Sequence, residues 1–289
     1  MDIRKILVPL SGRFDPADSE SLDAPALQTA LGLARHLDAR IEVLSVIGPV
    51  GPQAAGWMAW VPDYGMDAVL ESIEKQSAVR RKRARKTFDT IAGADARAED
   101  LEATFVENPG EIGTTIGAAG RLSDVIVVAS SQSRWEQPFR PILDAALRQT
   151  GRPIFVAPPT APEKMGQHIA IAWNDTAKSA RALAGSMPLL KRATSVTVLT
   201  CREGDEASKG ADPEKVAAYL DLHGVSARGL ILDAKNRNVA RSIIDASLSE
   251  GADLLVLGSV IHSRVQSLVY GSLTEEVLKA PRLSALLVP

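Results

Sequence analysis

The stretch LVLGSVIHSRVQSLVYGSLTEE, residues 255–276, is where this sequence comes nearest to chemistry. An apolar run that reads as a buried strand ends at Gly258, and a helix-like run opens at Gly271 and Ser272. A helix N-terminus exposes unpaired N–H groups and the positive end of its dipole, and a glycine lets the backbone approach an anion closely. Ser259, His262, Ser263 and Ser272 place further donors nearby. Types and spacing therefore suit a phosphate. They suit a purely structural role as well, with Gly258 making a tight turn and Ser272 capping a helix with the help of Glu275. Spacing alone leaves both readings open.

Other chemistry is thin. His262 lies beside Ser259 and Ser263, but loop neighbours rarely reach the geometry of a nucleophile and its base, and no orienting acid is evident. LSGRFDPADS (10–19) resembles the S-G-G-x-D-S loop of ATP pyrophosphatases at Ser11, Gly12 and Asp15. Arg13 and Pro16 replace its second glycine and final serine, which removes the tight anion-binding turn. The four histidines are scattered and Cys201 is the one cysteine, so neither a zinc spacing nor an internal disulfide is available. No residue is assigned to a metal. The basic run Arg80, Arg81, Lys82, Arg83, Arg85, Lys86 reads as a solvated helix face balanced by Glu71 and Glu74. Trp57 and Trp60 read as packing on the body of the protein.

The elements that must position Gly258 and Gly271 come in two copies. RKILVPLS (4–11) is similar to HIAIAWND (168–175), and IEVLSV (41–46) to VTVLTC (196–201). SDVIVVAS (123–130) is similar to ADLLVLGS (252–259), and GRPIFVAP (151–158) to RLSALLVP (282–289), in the same order. Within each copy, short continuous apolar runs alternate with longer amphipathic stretches, the pattern of strands buried on both faces and covered by helices. The second copy predicts strands near 168–173, 195–201, 227–232, 253–258 and 284–288, with helices near 177–191, 213–223, 238–250 and 272–280. The first predicts strands near 4–9, 41–46, 101–106, 124–129 and 153–157. The fold class is α/β: two tandem open parallel-sheet sandwiches, 1–159 and 166–289, joined by the polar, proline-rich PPTAPEKMGQ (158–167). Residues 48–96 break the symmetry with a loop and a long helix from about Met66 to Ile91.

A chain of 289 residues with 45% hydrophobic content can bury a core in each copy. A net charge of −2 offers no field for nucleic acid or an anionic membrane. No stretch approaches ~18 uninterrupted apolar residues, so no membrane helix is expected, and a cytoplasmic location is.

Taken together, ILVPLSG, ARIEVLSVI, IAWNDTAKSARAL, GADLLVLGS and the Gly258…Gly271–Ser272 spacing resemble a tandem universal stress protein over nearly the whole chain. That family carries G-x2-G-x9-G-[S/T] after its fourth strand; here Ile261 stands at the second glycine. The resemblance implies the adenine nucleotide alpha hydrolase-like, Rossmann-like fold and an ATP or AMP site in the second copy. It implies contacts at Ala172, Asn174, Cys201, Gly258, Ser259, His262, Gly271 and Ser272, with phosphates on the glycine loop and Asn174 near the ribose. In the first copy Ser11 replaces the strand-one aspartate, Ala129 the first glycine, and Arg140–Pro141 the helix-opening pair, so no nucleotide is expected there. The family pairs through its last strand. In a tandem chain RPIFVAP and SALLVP would pair with one another as an internal pseudo-dimer, with or without further homodimerisation. The expected partners are the nucleotide and a protein the sequence does not identify.

Overall fold

The computed structural model describes residues 2–14, 20–47, 63–99, 101–130, 139–202, 211–234, 238–258, 261–262, 269–270, 272–279 and 282–289. The chain divides into two units.

One unit comprises Arg4–Ala129 and Trp135–Arg152. Its elements are β1 (Lys5–Leu10), α1 (Ala24–Leu37), β2 (Arg40–Ile47), α2 (Asp63–Glu99), β3 (Ala103–Pro109), α3 (Ile112–Arg121), β4 (Val125–Ala129) and α4 (Phe139–Gln149). The strands run parallel in the order β3-β2-β1-β4. The long helix foreseen at 66–91 is α2, and it extends over 37 residues. Its composition explains the length: Ala, Arg, Lys and Glu are strong helix formers and no proline interrupts it. Ala84, Thr87, Phe88 and Ala92, at positions i, i+3, i+4 and i+8, form its buried stripe among the described residues. Phe88 meets Phe105 of β3 with ring centroids 5.3 Å apart. Trp57 and Trp60 lie outside the described residues.

The second unit comprises Met1–Ile3, Ser130–Arg134 and Pro153–Pro289. Its elements are β5 (Ile154–Ala157), β6 (His168–Ala172), α5 (Ala177–Leu190), β7 (Ser195–Arg202), α6 (Pro213–Asp221), β8 (Ala227–Asp233), α7 (Val239–Ser249), β9 (Leu254–Gly258), β10 (Ile261–His262), β11 (Val269–Tyr270), α8 (Ser272–Lys279) and β12 (Ser284–Val288). The order is β5-β12-β9-β6-β7-β8. All neighbours are parallel except β5, the strand that ends the first sequence copy, which runs antiparallel to β12 with Phe155 opposite Leu286. The short β10 and β11 form a separate antiparallel pair.

Continuous apolar runs become the central strands, as expected for a parallel sheet covered on both faces. Leu254, Leu255, Val256 and Leu257 of β9 are at most 2% exposed. Burying a side chain of this kind stabilises by about 1.5–3 kcal/mol relative to leaving it in water. Helix starts follow their side-chain caps. Asn238 accepts from the amides of Ala240 and Arg241, and Asp212 from that of Glu214 with Pro213 at the first turn. The result is the mostly parallel α/β architecture read from the alternation of strands and helices.

The two copies also share a device at the amino ends of their central strands. Asp124, just before β4, accepts from the backbone N–H groups of Arg4 and Lys5 at 2.8 and 2.9 Å. Asp253, just before β9, accepts from Gly166, Gln167 and His168 at 2.8, 3.0 and 3.1 Å.

Candidate functional site

In the second unit the strand order reverses between β6, which leads on to β7, and its other neighbour β9. Open α/β sheets take their ligands at the carboxyl ends of strands at such a switch point. A cavity of about 500 Å³ opens there. Its wall is built from the ends of β6, β7 and β9, the first turns of α5 and α8, and one side of α7.

The β6 side begins with Ala172 and Trp173. The Trp173 N–H donates to Leu199 O at 2.8 Å, and Thr200 Oγ1 donates to Trp173 O at 3.2 Å, which carries the strand register past its formal end. Asn174 follows, then Asp175 in the left-handed region at φ 55, a conformation Asp tolerates better than most residues. That turn delivers Thr176 to the N-cap of α5. The Thr176 hydroxyl accepts the Ser179 N–H, and the Ser179 hydroxyl accepts the Thr176 N–H in return, a capping box. The same Thr176 hydroxyl donates to Asn174 Oδ1 at 2.8 Å. That bond fixes the Asn174 amide and leaves its N–H donors available to the cavity.

The β7 side contributes Cys201, half-buried, beside Val239 and Ile243 of α7. From β9 come Leu257 and Gly258. A Cβ on Gly258 would stand 2.7 Å from the backbone carbon and oxygen of Lys178. Glycine is thus required here by the close passage of α5 over the strand end. α8 contributes Ser272, its first residue and exposed, with Leu273 and the buried Thr274.

The corresponding turn in the first unit is filled by the protein itself. The N–H groups of Ser11 and Gly12 donate to the Asp23 carboxylate at 3.0 and 2.8 Å, and the Ser11 hydroxyl donates at 2.8 Å. Gly12 has φ 65, and a Cβ there would collide with the backbone carbonyl of Arg80 on α2. The donors that made LSGRF similar to a pyrophosphate loop are therefore spent on an internal carboxylate. Asp23 is 5% exposed. Burial raises its pKa, and the hydrogen bonds from Ser11, Gly12 and Arg13 pull the other way without cancelling it. Arg134 and Asp15 lie outside the described residues.

A larger groove, about 640 Å³, runs between α2 and Glu107 of β3 and is lined by Arg81, Lys82, Arg85 and Lys86. Arg85 is taken by Asp89 at 3.0 Å and lies over the Phe88 and Phe105 rings. Asp89 and Glu107 on the same walls offset two of its four cations.

No protein-family model and no curated protein matches this sequence. Solved structures do. A universal stress protein from Archaeoglobus fulgidus aligns over 98% of this chain and 97% of its own, at 14% identity and a TM-score of 0.69. The universal stress protein fold is the fold of this chain. A putative universal stress protein from Pseudomonas aeruginosa aligns over 99% of this chain and 93% of its own, at 15% identity and a TM-score of 0.56. Both likenesses run nearly end to end, so each takes in both sequence copies.

Of the contacts implied by the resemblance to universal stress proteins, Ala172, Asn174, Cys201, Gly258 and Ser272 line one cavity. Ser259 and Gly271 lie outside the described residues. The backbone of Ile261 and His262 forms β10, Ile261 opposite Tyr270; their side chains lie outside the described set. An isoleucine suits that extended backbone, where a glycine-type turn would strain it. Sequence reasoning missed Trp173, Thr176, Lys178, Val239, Ile243 and Thr274. The signal for Thr176 and Lys178 was present: they open the helix directly after the strand-one tip. Among the described residues no cluster of His, Cys, Asp or Glu could hold a metal, and no helix is long and apolar enough to cross a membrane.

Proposed function

We propose that this chain is a universal stress protein that binds an adenine nucleotide, ATP or AMP, in the second-unit cavity and acts in stress response by binding. The observation that carries this reading is the convergence of Asn174, Cys201, Gly258 and Ser272, from separate elements, on one 500 Å³ cavity at the switch point. That volume lies within the usual range for small-molecule sites. The donor set fits the ligand: Asn174 offers amide hydrogens toward the ribose, while Ser272, the first residue of α8, lies where the resemblance puts the phosphates. A cytoplasmic location accords with this role.

A second reading, a scaffold of the same fold that works through protein contacts alone, is favoured by the β5–β12 pairing, because that pairing needs no ligand.

Thermal unfolding with and without millimolar ATP or AMP tests the first reading. At about 100 times its dissociation constant a ligand adds about 2.7 kcal/mol of stability. A shift, or a nucleotide released on denaturation and identified by mass, supports the site. Absence of both leaves the scaffold.

A further inference from the structure

We infer that Lys178 is the anion-holding residue of the strand-end cavity and makes it select a phosphorylated ligand over the matching neutral nucleoside; this rests on the nucleotide reading above. Three observations meet at this residue.

The first is charge. Lys178 is the one cation among the described lining residues, and no carboxylate lines the cavity with it. Cations on neighbouring elements are matched: Arg241 with Glu276, Lys279 with Glu275, Arg282 with Asp245. Lys178 is half-buried and has no ion pair among the described residues. An ammonium without a counter-charge is stabilised by an anion that arrives.

The second is placement. Lys178 lies in the first turn of α5, and its backbone passes so close to Gly258 that a single added carbon would strike it. The base of the lysine is therefore fixed at the junction of the β9 end and the α5 start, while its flexible stem can follow a ligand.

The third is the polarity of the remaining wall. Thr176 donates to the Asn174 carbonyl oxygen, and the Asn174 amide N–H groups remain available as donors. The capping box satisfies the Ser179 amide. It leaves those of Ala177 and Lys178, at the positive end of the helix, without a partner among the described residues. Free amide donors and one ammonium, with no carboxylate among the described lining residues, suit an acceptor-rich, anionic ligand.

Calorimetric titration of the full-length protein with AMP, ATP and adenosine, at low and high salt, tests the inference. In the wild type AMP should bind at least about tenfold more tightly than adenosine, with the gap shrinking as salt rises. Lys178→Gln should lose about tenfold on AMP and leave adenosine unchanged, and Lys178→Arg should restore the preference. Unchanged AMP affinity in Lys178→Gln overturns the role of Lys178 while leaving the nucleotide site standing. Equal losses for AMP and adenosine also overturn it, because they reduce the lysine to a packing role. A wild type that binds none of the three at millimolar concentration overturns the nucleotide reading, and this inference with it.

Discussion

The Asp253 carboxylate accepts the His168 backbone N–H at 3.1 Å, joining the start of β9 to the start of β6. It also accepts from Gln167 and Gly166, so one side chain organises three successive amides below the strands that carry the cavity. Charged acceptors of this kind contribute about 1.5–3 kcal/mol per bond lost. Asp253→Ala should therefore destabilise by about 3 kcal/mol or more in urea unfolding. Asp124→Ala should act in the same direction through Arg4 and Lys5. A variant at either position as stable as wild type would remove the device from the account.

Gly258→Ala should damage fold and site together. The added methyl meets backbone atoms of Lys178 at 2.7 Å, and backbone moves less readily than a side-chain tip. A cost of about 1–3 kcal/mol is expected, with nucleotide-induced stabilisation lost because α5 is pushed off the cavity. Thermal melts with and without AMP read both effects at once.

Two carboxylates should respond to pH in opposite directions. Burial raises the folded pKa of Asp23 above its ordinary 3.8, so its ionisation costs more in the folded chain. The wild type should then gain stability relative to Asp23→Asn as pH falls from the raised folded value toward 3.8. Glu111 caps α3 through Thr114 and Gly113, and bonds to the Thr114 side chain, then its amide, hold its pKa below 4.5. Its contribution is present above 4.5 and is lost as pH falls through the depressed folded value. Glu111→Gln keeps an oxygen acceptor but loses the charge at the start of α3, so it should cost about 0.3–1 kcal/mol at neutral pH and progressively less as pH falls below that value. Urea midpoints across pH 3–7 check both signs; parallel curves for wild type and variants would contradict them.

Thr29→Val should stabilise. Thr29, on the buried face of α1, is 0% exposed and its hydroxyl has no hydrogen-bond partner among the described residues. An unsatisfied buried hydroxyl costs about 1–3 kcal/mol, and valine keeps the branched shape without it. A rise of a few degrees in the melting midpoint is expected. A fall would show that the hydroxyl is satisfied in solution, most simply by water.

Much of the architecture was legible because buried parallel strands announce themselves as continuous apolar runs. LLVLG, HIAIA and SALLV needed little more than their composition. The site was legible in part. Gly258 was read for its freedom to approach an anion, and the structure adds a different reason for it, the passage of the Lys178 backbone. Lys178 was passed over because a lysine in the first turn of a helix looks like ordinary surface charge until the facing strand end is known. Asn174 was read as a ribose contact, but the orientation of its amide depends on Thr176 closing the turn through the left-handed Asp175, a three-dimensional event. The Asp124 and Asp253 device was in plain view as an aspartate before the fourth strand of each copy, but a lone surface-looking acid does not reveal the amides it faces.

The chain holds a single sulfhydryl, and Cys201 places it on the wall of the strand-end cavity. A thiol-reactive fluorophore would attach at one position only, without any engineered residue. Its emission would then serve as an optical reporter of occupancy, and protection of that thiol from labelling would count filled cavities directly.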